Sequence, residues 1–186
     1  MVGAPDVPVS AEVVERAKRV RLMLTDCDGV LTDAGVYVSA DGEQMKRFSL
    51  RDGMGVERLR TIGGIPTGII TRENSAIVAR RAEKLRIEEL HLGVREKLPE
   101  VIAIAAKRGI GLDEIAYIGD DLNDLEVLEA VGLAAAPCDA EPLVLDRVHH
   151  VCRRAGGHGA FREFAELVLA AQHSPAALRP PTPRHA

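Results

Sequence analysis

Short apolar runs alternate with segments of helical period along most of the chain. The runs RLMLT (21–25), IPTGII (65–70), EIAYIG (114–119) and GLAAAP (132–137) read as buried strands, each bounded by Gly, Pro or polar residues. Between them lie helical patterns. VERLRTIG follows the first loop region. In NSAIVARRAEKLR, Asn74 is placed to cap a helix whose Ile77, Val78, Ala82 and Leu85 share one face. KLPEVIAIAAKRG ends in Gly109 and DLEVLEAVG in Gly132, both expected C-caps. Strands alternating with helices predict an α/β fold: a Rossmann-like, doubly wound, mostly parallel sheet with helices on both faces.

One segment breaks the rhythm. GVYVSADGEQMKRF sets ADG between two short alternating runs, the pattern of a β-hairpin over about 34–49 that projects from the sheet. Residues 1–19 form an N-terminal extension, 20–172 the main domain, and the Pro- and Ala-rich 173–186 a tail expected to be disordered. With 186 residues the chain is long enough for one domain with a proper core.

Composition narrows the class. The chain is 46% hydrophobic and 28% charged with a formal net charge of -4, values of a globular protein rather than a nucleic-acid or membrane-surface binder. Cys27, Cys138 and Cys152 are odd in number, without CxxC or zinc spacing, so reduced thiols in the cytoplasm are expected. No signal peptide and no apolar stretch of transmembrane length is visible.

The chemistry gathers at three strand ends. Asp26 and Asp28 close the first apolar run with only Cys27 between them, and two carboxylates so near repel unless a cation offsets them. An EF-hand loop from Asp26 would require an oxygen ligand at Val30, Gly at Leu31 and Glu at Tyr37, which excludes it. Thr71 ends the second strand, where a hydroxyl and free N–H groups suit a phosphate, although a plain helix-start residue reads the same way. GDDLND (119–124) adds Asp120, Asp121 and Asp124. Capping explains one or two of these acids. A third favours a metal, with Asp120 nearest the strand end as ligand and Asp121 and Asp124 behind it, Asp124 also in reach of Lys97. Ligands of open α/β sheets sit beyond the carboxyl ends of the strands, where these groups converge.

DxDGVLTD, then a strand-end Thr, a Lys and GDDxxD resembles the haloacid dehalogenase superfamily of phosphotransferases, of the small-cap type in which a hairpin replaces a large cap. The resemblance implies Mg2+-dependent aspartyl-phosphate catalysis. Asp26 would be the nucleophile, and Asp28 the acid toward the leaving oxygen and the base toward water. Thr71 and Lys97 would hold the phosphoryl oxygens, and Mg2+ would be held by Asp26, the Asp28 backbone carbonyl and Asp120.

The stretches DGVLTDAGVYVSADGEQMKRFSLRDGMGV, GVREKL, IAYIGDDLNDLEVLEAVGL and GGHGAFREF are closely similar to the 3-deoxy-D-manno-octulosonate 8-phosphate phosphatases of lipopolysaccharide biosynthesis, over about Val20 to Gln172. That family implies a homotetramer with hairpins meeting at its centre. The sugar-acid phosphate would be bound by Asp28 and Lys97 and by Ser49, Arg51, Asp52, Gly53 and Arg81, with Gly156 to Glu163 shaping the same or a neighbouring site. One departure points elsewhere. Where these enzymes read T-G-R, this chain reads Thr71-Arg72-Glu73, and Glu73 with Lys84 resembles phosphatases of nine-carbon sugar acid 9-phosphates. The further alternatives are a non-catalytic oligomerisation module and, against the small cap, a phosphomutase.

Overall fold

The computed structural model describes residues 9–173. Six strands form one sheet: β1 (Leu22–Thr25), β4 (Thr67–Ile70), β5 (Glu89–His91), β6 (Ile115–Ile118), β7 (Leu133–Ala136) and β8 (His150–Val151). Their order is β5-β4-β1-β6-β7-β8 and every neighbouring pair is parallel. Two antiparallel strands, β2 (Thr32–Ser39) and β3 (Gly42–Phe48), form the separate hairpin. The doubly wound α/β sheet with a hairpin is as expected.

Alternation along the strands sorts the core into two layers, because successive side chains leave a strand on opposite faces. Met23, Ile69, Ala116, Ile118, Leu133 and Ala135 pack with α1 (Ala11–Ala17), α2 (Leu50–Arg58), α3 (Ala76–Leu85) and α7 (Ala160–Gln172). Leu22, Leu24, Ile70, Tyr117, Ala134 and Ala136 pack with α4 (Lys97–Arg108), α5 (Leu125–Ala130) and α6 (Pro142–Leu145). Since both faces are covered, the four inner strands β4, β1, β6 and β7 are continuously buried.

Several boundaries differ from the sequence pattern. The helix expected from Val56 begins at Leu50, because the Ser49 hydroxyl caps it by accepting from Arg51 N and Asp52 N; it then passes into a π-helical turn, Leu59–Gly63. Ser75, not Asn74, caps α3 by accepting from Val78 N. Gly109 caps α4 in the left-handed region as predicted. Helix α5 is instead capped by Val131, and Gly132 N donates to Leu112 O at 2.8 Å. Strands β5 and β8 are too short, at three and two residues, to give a periodic signal. The segment 1–19 is not wholly peripheral, for Val13 and Ala17 of α1 join the core. Of the expected tail 173–186, all but His173 lies outside the described residues.

Candidate active site

Strand β1 sits at the point where the chain order reverses, with β4 on one side and β6 on the other. The crevice beyond their carboxyl ends is where an open α/β sheet binds its ligand. Asp26 follows β1, Thr71 follows β4, and Asp120 follows β6 after Gly119. Asp26 is held in line with the sheet, its N–H donating to Ile118 O at 3.0 Å.

Lys97, the first residue of α4, ties the acids together. Its fully buried Nζ stands 2.9 Å from Asp26 Oδ2 and 2.7 Å from Asp124 Oδ1. Burial alone would deprotonate it, but Asp124 and Asp26 more than offset this and keep its pKa above the ordinary lysine value. Asp124 is saturated: Oδ1 also accepts from Tyr117 Oη at 2.5 Å, and Oδ2 from Asp120 N at 3.2 Å. Asp26 Oδ1 accepts from Cys27 N at 2.7 Å.

Asp120 is the exception, because its buried Oδ1 has no hydrogen-bond partner among the described residues. One oxygen each of Asp26, Asp120 and Asp124 lie within 4.8 Å of one another. Burial, followed by repulsion from Asp26 and Asp124, pushes Asp120 up to about 8; burial, then Asp124, raises Asp26 to about 7 against the pull of Lys97. Two buried carboxylates and a partly buried one beside one ammonium leave negative charge uncompensated. A hard divalent cation supplies what is missing. The donor set therefore fits Mg2+, with Asp120 and Asp26 as carboxylate donors and Asp124 holding Lys97 and the Asp120 backbone.

The tight loop after Asp28 is sterically enforced. Gly29 has φ +81°, and a Cβ there would lie 1.9 Å from Asp120 Oδ2. Asp28 is turned away from the trio toward the hairpin: Lys46 Nζ lies 2.7 Å from each of its oxygens, and Thr32 Oγ1 donates to Oδ1 at 3.3 Å. Its side chain thus adds nothing to the carboxylate trio, while its backbone carbonyl belongs to the same loop. Lys46 was not among the residues singled out from sequence. Phe48, two residues further on the same strand face, packs on the core, and that alternation was the available signal.

The remaining predicted residues fall into different settings. Thr71 is buried, and its hydroxyl accepts from Glu73 N at 3.2 Å. Contrary to the sequence expectation it does not open α3, since residues 72–75 intervene. Glu73, Lys84 and Arg51 are exposed. Asp121 caps the short turn Leu122–Asp124 through Leu122 N. Arg81 Nη2 donates to Ser49 O at 3.0 Å, its guanidinium lies 5.5 Å from the Phe48 ring centroid, and buried Gly53 leaves the space it fills. Its buried Nε has no partner. Asp52, placed in the sugar pocket from sequence, has both oxygens on the start of α7: Gly159 N at 3.1 Å and Arg162 N at 2.9 Å. Within the chain it is a helix cap. Gly156 and Gly157 press against the loop that follows Asp28 in their own chain, with Gly157 N donating to Val30 O at 2.9 Å. A separate groove of ≈ 1230 Å³ between α1, α7 and β8 shares none of the acidic residues of this site.

Known proteins share the sequence and the fold of this chain. A model of the haloacid dehalogenase-like hydrolases matches residues 80–163. The 3-deoxy-D-manno-octulosonate 8-phosphate phosphatase KdsC of Escherichia coli K12 is 42% identical over 165 residues, 89% of this chain and 87% of that protein. This chain belongs to the haloacid dehalogenase-like hydrolases. Among solved members, the octulosonate 8-phosphate phosphatase of Yersinia pestis superposes with TM-score 0.86 at 41% identity, covering 89% of each chain. That of Moraxella catarrhalis, solved with magnesium, phosphate and KDO, gives TM-score 0.84 at 35% identity, over 87% of this chain and 92% of its own. Like these hydrolases, the chain is a phosphoric monoester hydrolase with a Mg2+ site. No helix among the described residues is long and apolar enough to cross a membrane.

Proposed function

We infer that this hydrolase cleaves 3-deoxy-D-manno-octulosonate 8-phosphate to the free sugar acid and phosphate through an aspartyl-phosphate. The observation that carries the mechanism is buried Asp26 at the switch point, 2.9 Å from the Lys97 ammonium and beside the unpartnered oxygen of Asp120. Asp26 attacks phosphorus as the bond to the leaving sugar oxygen breaks. A carboxylate nucleophile divides one hard displacement into two easier ones. Asp28 gives a proton to that oxygen and then takes one from the water that hydrolyses the phosphoenzyme. Lys97 neutralises charge on Asp26 and on the phosphoryl oxygens, and the Thr71 hydroxyl holds a further oxygen. Bound Mg2+, held by Asp26, Asp120 and the Asp28 carbonyl, would supply charge neutralisation.

The octulosonate reading is supported by the relatives named above. Exposed Glu73 and Lys84 keep a nine-carbon sugar acid 9-phosphate as the competing substrate. Arg51, Arg81 and Ser49 are assigned to the sugar acid, Ser49 and Arg81 through the shape of the hairpin–α2 junction. A homotetramer in the cytoplasm completes the reading. The hairpin exposes Val36 (48%), Tyr37 (64%), Val38 (69%) and Met45 (58%), more apolar surface than an isolated two-stranded ribbon keeps in water. All three cysteines are free, as a reducing compartment requires.

The test is phosphate release from octulosonate 8-phosphate and a nonulosonate 9-phosphate, with and without Mg2+, beside Asp26→Asn as blank. Mg2+-dependent preference for the first is expected. Preference for the second transfers specificity to Glu73 and Lys84, and turnover of neither rejects the phosphatase reading.

A further inference from the structure

Asp28 is the only acid of the catalytic loop whose charge partner comes from the hairpin. Lys46 Nζ spans both its oxygens at 2.7 Å while its own side chain is 3% exposed, against 27% for Asp28. The ammonium is itself fixed. Glu43 Oε2 lies 3.4 Å from it, and the other Glu43 oxygen accepts from Ser75 Oγ at the start of α3. Next along β3, Arg47 pairs with Asp33 at 2.6 Å and donates to Gly157 O at 3.1 Å. Lys46 is therefore held by a hairpin pinned to the start of α3 and to the glycine loop at Gly157. Apart from Lys46, Asp28 has among the described residues only the long 3.3 Å contact from Thr32.

We propose that Lys46 is a positioning residue for Asp28, aiming its carboxylate at the leaving oxygen and making acid–base competence depend on a docked hairpin. This rests on the reading of Asp28 as general acid and base. In the first step the Asp28 proton passes to the sugar oxygen as that P–O bond breaks and the Asp26–phosphorus bond forms. In the second, Asp28 takes a proton from water as the new P–O bond forms and the Asp26–phosphorus bond breaks. One carboxylate oxygen must be free to carry that proton. Lys46 retains the other, which fixes the direction of the free one. Without Lys46 the partly exposed carboxylate can swing toward water, because no other short contact among the described residues holds it.

A positioning role of this kind has a signature that simple loss of structure lacks. Expelling a sugar alkoxide needs the proton, whereas expelling p-nitrophenolate does not. The quantity to compare is kcat/KM, which reports only steps up to formation of the phosphoenzyme. For Lys46→Met, kcat/KM on octulosonate 8-phosphate should fall roughly 10- to 100-fold, at or below the low end of what a general acid itself contributes, and on p-nitrophenyl phosphate less than about 3-fold. Lys46→Arg, which keeps a cationic donor, should recover much of the loss. Lys46→Gln serves as a second neutral variant if Lys46→Met does not fold. Asp28→Asn is run alongside and should show the same discrimination between leaving groups, more strongly. If Asp28→Asn discriminates while the Lys46 variants lose both substrates equally, or neither, the proposal for Lys46 is overturned alone. If Asp28→Asn fails to discriminate, the acid role of Asp28 falls and takes the proposal with it.

Discussion

A Cβ on Gly156 would lie 1.8 Å from the carbonyl oxygen of Gly29, so the late glycine loop lies flat against the loop that carries Asp26 and Asp28. Nothing larger than hydrogen fits unless one backbone moves. Gly156→Ala should destabilise the fold by about 1–3 kcal/mol, at roughly 2–4 °C of Tm for each kcal/mol, and also lower activity by displacing Gly29. Thermal unfolding and phosphate release on one preparation check both. A variant with wild-type Tm and activity would show that the two loops can separate freely.

Asp52 illustrates the difference between a motif residue and a substrate contact. Its two oxygens cap α7 through Gly159 N and Arg162 N. Asp52→Ala should lose about 0.5–2 kcal/mol, the usual worth of such a cap, and leave KM nearly unchanged. A large rise in KM at unchanged Tm would instead return Asp52 to the sugar pocket.

The acidic trio makes stability depend on pH in a defined direction. Asp26 and Asp120 are raised to about 7 and about 8 in the folded chain, above their ordinary value of 3.8. Between those limits the folded state holds more protons than the unfolded state, so stability falls as pH rises from about 4 to 8. A cation bound to the carboxylates removes that slope. The Tm gain on adding Mg2+ should therefore be larger at pH 8.5 than at pH 5.5. Asp120→Asn should raise the metal-free Tm at pH 8.5 and abolish most of the Mg2+ response. An equal Mg2+ gain at both pH values would contradict this charge balance.

Much of this site was legible because strand ends are readable. Asp26, Thr71 and Asp120 each follow an apolar run, and a parallel sheet brings such ends into one crevice. Lys97 and Asp124 were legible as a possible pair, and the fold joins them at 2.7 Å. The Lys46–Asp28 contact was not, because it depends on how the hairpin folds back across 18 residues. The Asp52 cap spans more than 100 residues, and no local spacing encodes it. Ser75 over Asn74 was a choice between adjacent good caps, decided by where α3 begins.

Lys97 carries both charge balance and chemistry. Lys97→Met strips the ammonium from buried Asp26 and Asp124, so turnover should fall on the order of 10²–10³, as when a preorganised charge donor is removed. Metal-free stability should fall as well, by roughly 3–5 kcal/mol for a broken buried pair. Single-turnover kinetics and denaturant titration without Mg2+ measure the two effects. Unchanged turnover would remove Lys97 from the reacting centre.

The central claim is that Asp26 becomes phosphorylated. The most direct measurement is to quench the Mg2+-loaded enzyme during turnover of octulosonate 8-phosphate, reduce it with borohydride, and map the peptide that contains residue 26. Reduction of an acyl phosphate converts that aspartate to homoserine, and conversion at Asp26 that depends on both substrate and Mg2+ is the predicted result. Active turnover with Asp26 left unmodified and no other residue converted would contradict the account, since water would then attack the substrate directly.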